Sequence, residues 1–165
     1  MIRIPLRPDH YFEKATDIPV RFLKNRDIRL LLLDIDGTLA RTKDPEPDEK
    51  LIRWAEEMKK TGITLYILSN NKSPERVEKY CGILGIKGVH KSRKPSKAGF
   101  EKALSEHNVS PANTALVGDQ IFTDSFGARR CGILALRVRS LDNYLWYFPL
   151  RRLAELPFLK PINKK

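Results

Sequence analysis

Apolar residues along this chain gather into short, mostly apolar runs, separated by stretches in which they recur at helical spacing. The runs are Leu30-Leu31-Leu32-Leu33, Ile63-Thr64-Leu65-Tyr66-Ile67-Leu68, Thr114-Ala115-Leu116-Val117 and Ile133-Leu134-Ala135-Leu136-Arg137-Val138. A run of strand length without alternation is what a strand buried on both faces requires, the condition of a parallel sheet. A further short strand is expected around Gly88-Val89-His90. Between the runs, Leu51, Ile52, Ala55 and Met58 follow Asp48 at helical spacing, with Asp48 as the N-cap and Gly62 as the C-terminal stop. Ser73-Pro74-Glu75 opens a second helix, with Pro in its first position, that should end near Cys81-Gly82. Ser96 to His107 and Phe122 to Cys131 read as two more helices. The phrase Cys-Gly-Ile-Leu at 81 and again at 131 predicts one helix-stop solution used twice, with Gly as the cap. Strands alternating with helices build right-handed crossovers, so the expected fold is an α/β/α three-layer sandwich around a parallel, Rossmann-like sheet of about five strands.

The polar residues that matter stand where those strands end. Asp34-Ile35-Asp36-Gly37-Thr38 follows the leucine run directly, Ser69-Asn70-Asn71 follows Leu68, and Gly118-Asp119-Gln120-Ile121-Phe122-Thr123-Asp124 follows Val117. Lys94-Pro95 lies in the basic loop after the short third strand. In a parallel sheet all four project from the carboxyl edge, where open α/β sheets place their chemistry. An acidic strand exit is common in itself. Together, however, one edge would hold a carboxylate nucleophile, a hydroxyl donor, a cation and further acids, which is what phosphoryl transfer from a monoester demands. Lys91, Arg93 and Lys97 neighbour Lys94, and Lys97 is the alternative to it as the working cation.

Composition narrows the setting. The 165 residues fit one domain, with a motif-bearing core at about 29–139, and 41% hydrophobic content is that of a packed protein. No apolar run approaches bilayer length, and the N-terminus does not resemble a secretory signal. Cys81 and Cys131 are too few and too isolated for a disulfide framework or a zinc site, so a reducing cytoplasm is the expected compartment. The net charge of +11 is concentrated in residues 1–33, 87–102 and 129–165, a distribution that favours anionic partners.

Asp34-Ile35-Asp36-Gly37-Thr38, Ser69, Lys94 and Gly118-Asp119…Asp124 resemble, in order, the four signature motifs of the haloacid dehalogenase-like (HAD) superfamily. Leu68-Ser69-Asn70-Asn71, Lys94-Pro95 and Gly118-Asp119-Gln120-x-x-Thr123-Asp124 are similar to its YqeG-like subfamily, which is related to phosphatidylglycerophosphate phosphatases; Gly37 departs from the Asn more usual there. The resemblance implies that Asp34 attacks phosphorus to form an aspartyl-phosphate. It implies that Asp36 serves first as acid and then as base, the second Asp being what phosphatases have and dehalogenases lack. It implies Mg²⁺ held by Asp34, the Asp36 carbonyl and Asp119, with Asp124 orienting a metal water or Lys94 from behind. Ser69 and the Asn70 backbone N–H would bind a phosphoryl oxygen, and Lys94 would screen the nucleophile and bind the phosphoryl group.

One loop and one helix separate Asp36 from Ser69, and one helix and a short strand separate Ser69 from Lys94. Neither interval can house a cap domain. A capless site suits a bulky substrate with an accessible phosphate, such as a lipid headgroup, over a small metabolite that needs a lid. The flanks mix rings with cations: Tyr11, Phe12 and Phe22 among Arg7, Arg21 and Lys24, and Tyr144, Trp146, Tyr147 and Phe148 before Arg151 and Arg152. Such segments either rest peripherally on an anionic membrane, here its inner face, or pack over the sheet edges. The expected activity is Mg²⁺-dependent phosphomonoester hydrolysis, with phosphatidylglycerophosphate as substrate by resemblance. The alternatives are a phosphatase of protein or nucleic-acid phosphate, and a basic RNA- or ribosome-binding module with little catalysis.

Overall fold

Leu30–Leu33 (β2) lies at the heart of a six-stranded, all-parallel sheet in the computed structural model of the chain, which describes residues 6–142. All four leucines are fully buried, and they feed both faces in alternation. Leu31 and Leu33 join one core with the helices Val20–Lys24 (α1), Glu49–Lys60 (α2) and Pro74–Leu84 (α3), through Leu23, Trp54, Met58, Tyr80 and Leu84. Leu30 and Leu32 join the other, with Phe100 and Ala103 of Lys97–His107 (α4) and Ala128 of Phe126–Arg130 (α5). The three layers thus follow from one unbroken apolar strand.

The remaining strands are His10–Phe12 (β1), Thr64–Leu68 (β3), Lys87–Val89 (β4), Thr114–Gly118 (β5) and Leu134–Val138 (β6), in the order β1-β6-β5-β2-β3-β4. Chain progress runs outward from β2 to β4 and then returns to β5 on the other side of β2. This reversal opens a crevice between the carboxyl ends of β2 and β5, the position at which doubly wound sheets bind ligands. Leu33 pairs with Ile67 and Val117, so Asp34 and Asp119 leave their strands side by side. The intervals 37–68 and 70–93 hold only α2, β3, α3, β4 and their loops, so neither houses a cap domain.

Three expectations need correction. The sheet has six strands, not about five. The sixth, β1, comes from the stretch read as a flank; His-Tyr-Phe carries no apolar run, and it joins β6 through the backbone, in register His10 to Leu136. Phe12 and Phe22 are half-buried against the core, and their rings meet edge to face.

The second correction concerns Cys-Gly-Ile-Leu. Gly132 does cap, with φ +74, after α5 ends at Arg130. Gly82 does not: α3 runs through it to Leu84, whose burial extends the stripe of Val77 and Tyr80, and Gly85 (φ +63) is the left-handed stop. Third, the helix expected over 122–131 is two pieces, a π-helical turn over Ile121–Ser125 and then α5. The expected N-caps hold at Asp48, which accepts from the Leu51 N–H at 2.8 Å, and at Ser73, which accepts from Arg76 N–H. Ile2, Ile4, Arg3, Arg151, Arg152 and the aromatic run at 144–148 lie outside the described residues.

Candidate active site

β2 delivers Asp34 into the crevice with its backbone N–H still paired to the Val117 carbonyl at 3.0 Å. Gly37 then turns the chain with φ +81, and a Cβ there would stand 2.5 Å from Asp119 Oδ2, so the turn admits Asp119 only because the residue is Gly. Gly118 plays a similar part at the end of β5: a Cβ on it would lie 2.4 Å from Asp124 Cβ and Cγ. Two glycines thus make room for two carboxylates.

Lys94 Nζ lies 2.8 Å from Asp34 Oδ1 and 2.8 Å from Asp124 Oδ1, with the lysine side chain only 1% exposed. Lys97 is exposed at the start of α4, so Lys94 is the lysine that reaches the acids. Asn70 seats the lysine's loop, its Nδ2 donating to the Lys94 carbonyl at 2.9 Å and its Oδ1 accepting the Lys94 N–H at 2.8 Å. Asp124 is fixed from its other side by the Gln120 N–H. Ser69 is buried, and its Oγ accepts the Asn71 N–H at 3.0 Å, which leaves the hydroxyl proton available to an incoming oxygen.

One oxygen from each of Asp34, Asp119 and Asp124 falls within 4.8 Å of the others. Three buried carboxyls facing one ammonium leave surplus negative charge, and the surroundings show it. Burial, then the charges of Asp34 and Asp124, push Asp119 up to about 8. Burial pushes Asp34 up to about 6 against the pull of Lys94. Burial alone would lower the Lys94 ammonium, but Asp124 and then Asp34 reverse that and hold it above the usual lysine value. The Thr38 hydroxyl lies 3.1 Å from both Asp34 Oδ2 and Asp119 Oδ1. It has one proton to give, so it can donate to only one of the two at a time. A hard divalent cation fits this set of buried oxygens and would offset their surplus negative charge.

Asp36 stands apart from this cluster. Its Oδ1 accepts from Arg76 Nε at 2.8 Å and its Oδ2 from Asn71 Nδ2 at 2.6 Å. Thr38, Asn71 and Arg76 have contacts here that sequence reasoning did not assign. Thr38 was visible within the acidic motif, but Asn71 and Arg76 meet Asp36 from 35 and 40 residues away, and no spacing announces such a contact.

Residues 44–132 match the family model described as haloacid dehalogenase-like hydrolase. Over 161 residues the chain is 33% identical to the Bacillus subtilis (strain 168) protein named "Probable phosphatase YqeG", covering 96% of this chain and 92% of that one. The chain belongs to the haloacid dehalogenase-like hydrolases. Solved structures agree at the level of fold. The cobalt-bound deoxy-D-mannose-octulosonate 8-phosphate phosphatase of Haemophilus influenzae superposes with a TM-score of 0.57 at 15% identity, covering 81% of this chain and 88% of that one. The 3-deoxy-D-manno-octulosonate 8-phosphate phosphatase of Yersinia pestis gives 0.53 at 14%, with 83% of each chain covered. This hydrolase is an enzyme of the phosphatase kind, with no cap domain among the described residues. Among the described residues no helix is long and apolar enough to cross a membrane.

Proposed function

We propose that this hydrolase cleaves phosphomonoesters through an aspartyl-phosphate on Asp34, with Mg²⁺ as cofactor and phosphatidylglycerophosphate as substrate. The observation that carries the chemistry is Asp34 itself: a carboxylate at the head of the central strand, paired at one oxygen with Lys94 and flanked by two further acids. An Asp34 oxygen forms a bond to phosphorus as the ester P–O bond breaks, and the leaving alkoxide takes a proton from Asp36. Asp36 then removes a proton from water as that water attacks phosphorus, and the Asp34–phosphorus bond breaks to release phosphate. Lys94 offsets negative charge on the nucleophile and the transferring group, while Ser69 and the Asn70 backbone N–H bind a phosphoryl oxygen. Asp34, the Asp36 carbonyl and Asp119 would hold Mg²⁺, with Asp124 fixing Lys94 behind them. The bound ion would supply charge neutralisation of the phosphoryl oxygens.

The substrate reading rests on the open edge, on the resemblance to lipid-phosphate phosphatases, and on where the tail departs. Leu141 N–H donates to the Gly37 carbonyl at 2.8 Å, and Asp142 accepts from Thr42 at its N–H (2.9 Å) and Oγ1 (2.7 Å). The aromatic and basic residues 143–165 therefore continue from a point tied to the catalytic loop.

The experiment is a phosphate-release screen with Mg²⁺ over lipid, nucleotide, sugar and phosphopeptide substrates, run beside Asp34→Asn. Turnover should be greatest on phosphatidylglycerophosphate and should fall about 10³-fold or more in the variant, with the fold intact. Near-normal release by Asp34→Asn would end the covalent route. Preference for a phosphopeptide or nucleotide would end the lipid reading while leaving the phosphatase.

A further inference from the structure

Arg76 is the most heavily engaged side chain at the catalytic edge that the reaction above does not use. Its Nε donates to Asp36 Oδ1 at 2.8 Å, its Nη1 to the Asp44 carbonyl at 2.6 Å and its Nη2 to the Arg41 carbonyl at 3.0 Å. The guanidinium carbon lies 5.0 Å above the Tyr80 ring, and the Tyr80 hydroxyl donates to the same Asp44 carbonyl at 3.3 Å. Only 13% of the side chain is exposed. With Nε and both terminal nitrogens committed to protein oxygens, the group is a poor candidate for a phosphate ligand. It is well suited to holding three things in fixed relation: the Asp36 carboxylate, the 41–44 loop and the start of α3.

The fork explains the residue type. A lysine ammonium would be a point charge unable to reach a carboxylate and two carbonyls on different segments in one plane. Asn71 completes the hold on the second carboxylate oxygen, and its own orientation is set because its Oδ1 accepts the Ser73 N–H at 2.8 Å. Both oxygens of Asp36 are thus aimed by residues that lead into or open α3, not by the acid cluster around Asp34.

We propose that Arg76 is a positioning residue for Asp36, coupling the aim of this acid–base group to the seating of the loop at 41–44. The proposal rests on the proton-transfer role given to Asp36 above. Its consequence is selective. Arg76 matters where the leaving group needs a proton, and its loss acts through Asp36.

The test compares kcat/KM on an alkyl phosphate, a poor leaving group, with p-nitrophenyl phosphate, a good one. This parameter covers events only up to departure of the alcohol, so it isolates the step in which Asp36 acts as acid. Arg76→Ala should lose about 10²-fold on the alkyl ester and only a few-fold on the aryl ester, following Asp36→Asn in pattern. Arg76→Lys should recover part of the loss. The double variant Asp36→Asn/Arg76→Ala should be no worse than Asp36→Asn alone, because both changes remove one function. Should Arg76→Ala fold poorly, Asn71→Ala removes one hold on Asp36, leaves the three Arg76 bonds in place, and should show the same leaving-group split more weakly. Equal losses on both esters, or losses that multiply in the double variant, would overturn the positioning role. If Asp36→Asn itself showed no leaving-group dependence, the role of Asp36 would fall, and that of Arg76 with it.

Discussion

Asp119 is the group at which acidity and the proposed metal binding would meet. In an unfolded chain its carboxyl has the ordinary value of 3.8, whereas in the folded site burial and neighbouring acids carry it to about 8, and Asp34 rises to about 6. The protonated form is the one that folding favours, so the stabilising contribution of the pair is complete below about 3.8. It is lost as pH climbs through about 6 and then about 8. A divalent cation bound to these oxygens would substitute for the missing protons. The rise in Tm on adding Mg²⁺ should therefore be larger at about pH 8.5 than at about pH 5.5. An equal rise at both would argue that Asp34 and Asp119 are not its ligands. Asp119→Ala should displace the midpoint of a Mg²⁺ activation titration by about 10-fold or more while moving KM for substrate much less. An unchanged midpoint would remove Asp119 from the metal site. These acids could be read from sequence because each sits one or a few residues beyond a recognisable strand. Thr38, Asn71 and Arg76 acquire their contacts only through tertiary geometry, and the sequence holds no period that would reveal them.

Elements could be read wherever burial imposes a pattern. β2, β3, β5 and β6 are buried through most or all of their length, so they present largely apolar runs. β1 is a three-residue edge strand of half-buried residues, and it is fixed by backbone pairing that His-Tyr-Phe does not advertise. The two Cys-Gly-Ile-Leu phrases show why a local motif needs its context. In α3 the stripe of Val77, Tyr80 and Leu84 carries the helix past Gly82; in α5 nothing comparable carries it past Gly132. Three substitutions separate the cases. A Cβ on Gly82 meets open space within a helix, so Gly82→Ala should stabilise by about 0.5–1 kcal/mol. Gly85→Ala and Gly132→Ala, at φ +63 and +74, should each destabilise by about 1 kcal/mol. Chemical denaturation of the three variants gives the signs, and a destabilised Gly82→Ala would restore Gly82 as the cap.

At the scale of the whole molecule, charge and shape bear on the same question of what reaches an uncapped site. Arg41, Lys43, Lys72, Lys91 and Arg93 are exposed in loops beyond the carboxyl ends of the strands, and Arg151 and Arg152 follow in the tail. Each cation near an anionic bilayer contributes on the order of 1 kcal/mol, screened by salt. If the substrate is a lipid phosphate, the protein should sediment with vesicles containing phosphatidylglycerol at low salt and be released at high salt. Arg151→Gln/Arg152→Gln should weaken that sedimentation and leave hydrolysis of p-nitrophenyl phosphate unchanged. Indifference to anionic vesicles at low salt would sink the membrane reading.

The pairing of β1 with β6 also sets a timetable. Asp9 is bound to a segment distant in sequence: its carboxylate takes the Ala135 N–H, 126 residues away, and meets the Arg129 guanidinium, while its own N–H donates to the Ala135 carbonyl. During synthesis His10–Phe12 leaves the ribosome well before Leu136–Val138, its strand neighbour among the described residues. The β2–β5 pairing that frames Asp34 and Asp119 can form before that neighbour exists, and contacts between distant segments are slow to close. The outer strand is thus a late addition to the edge of a sheet whose catalytic strands are already paired.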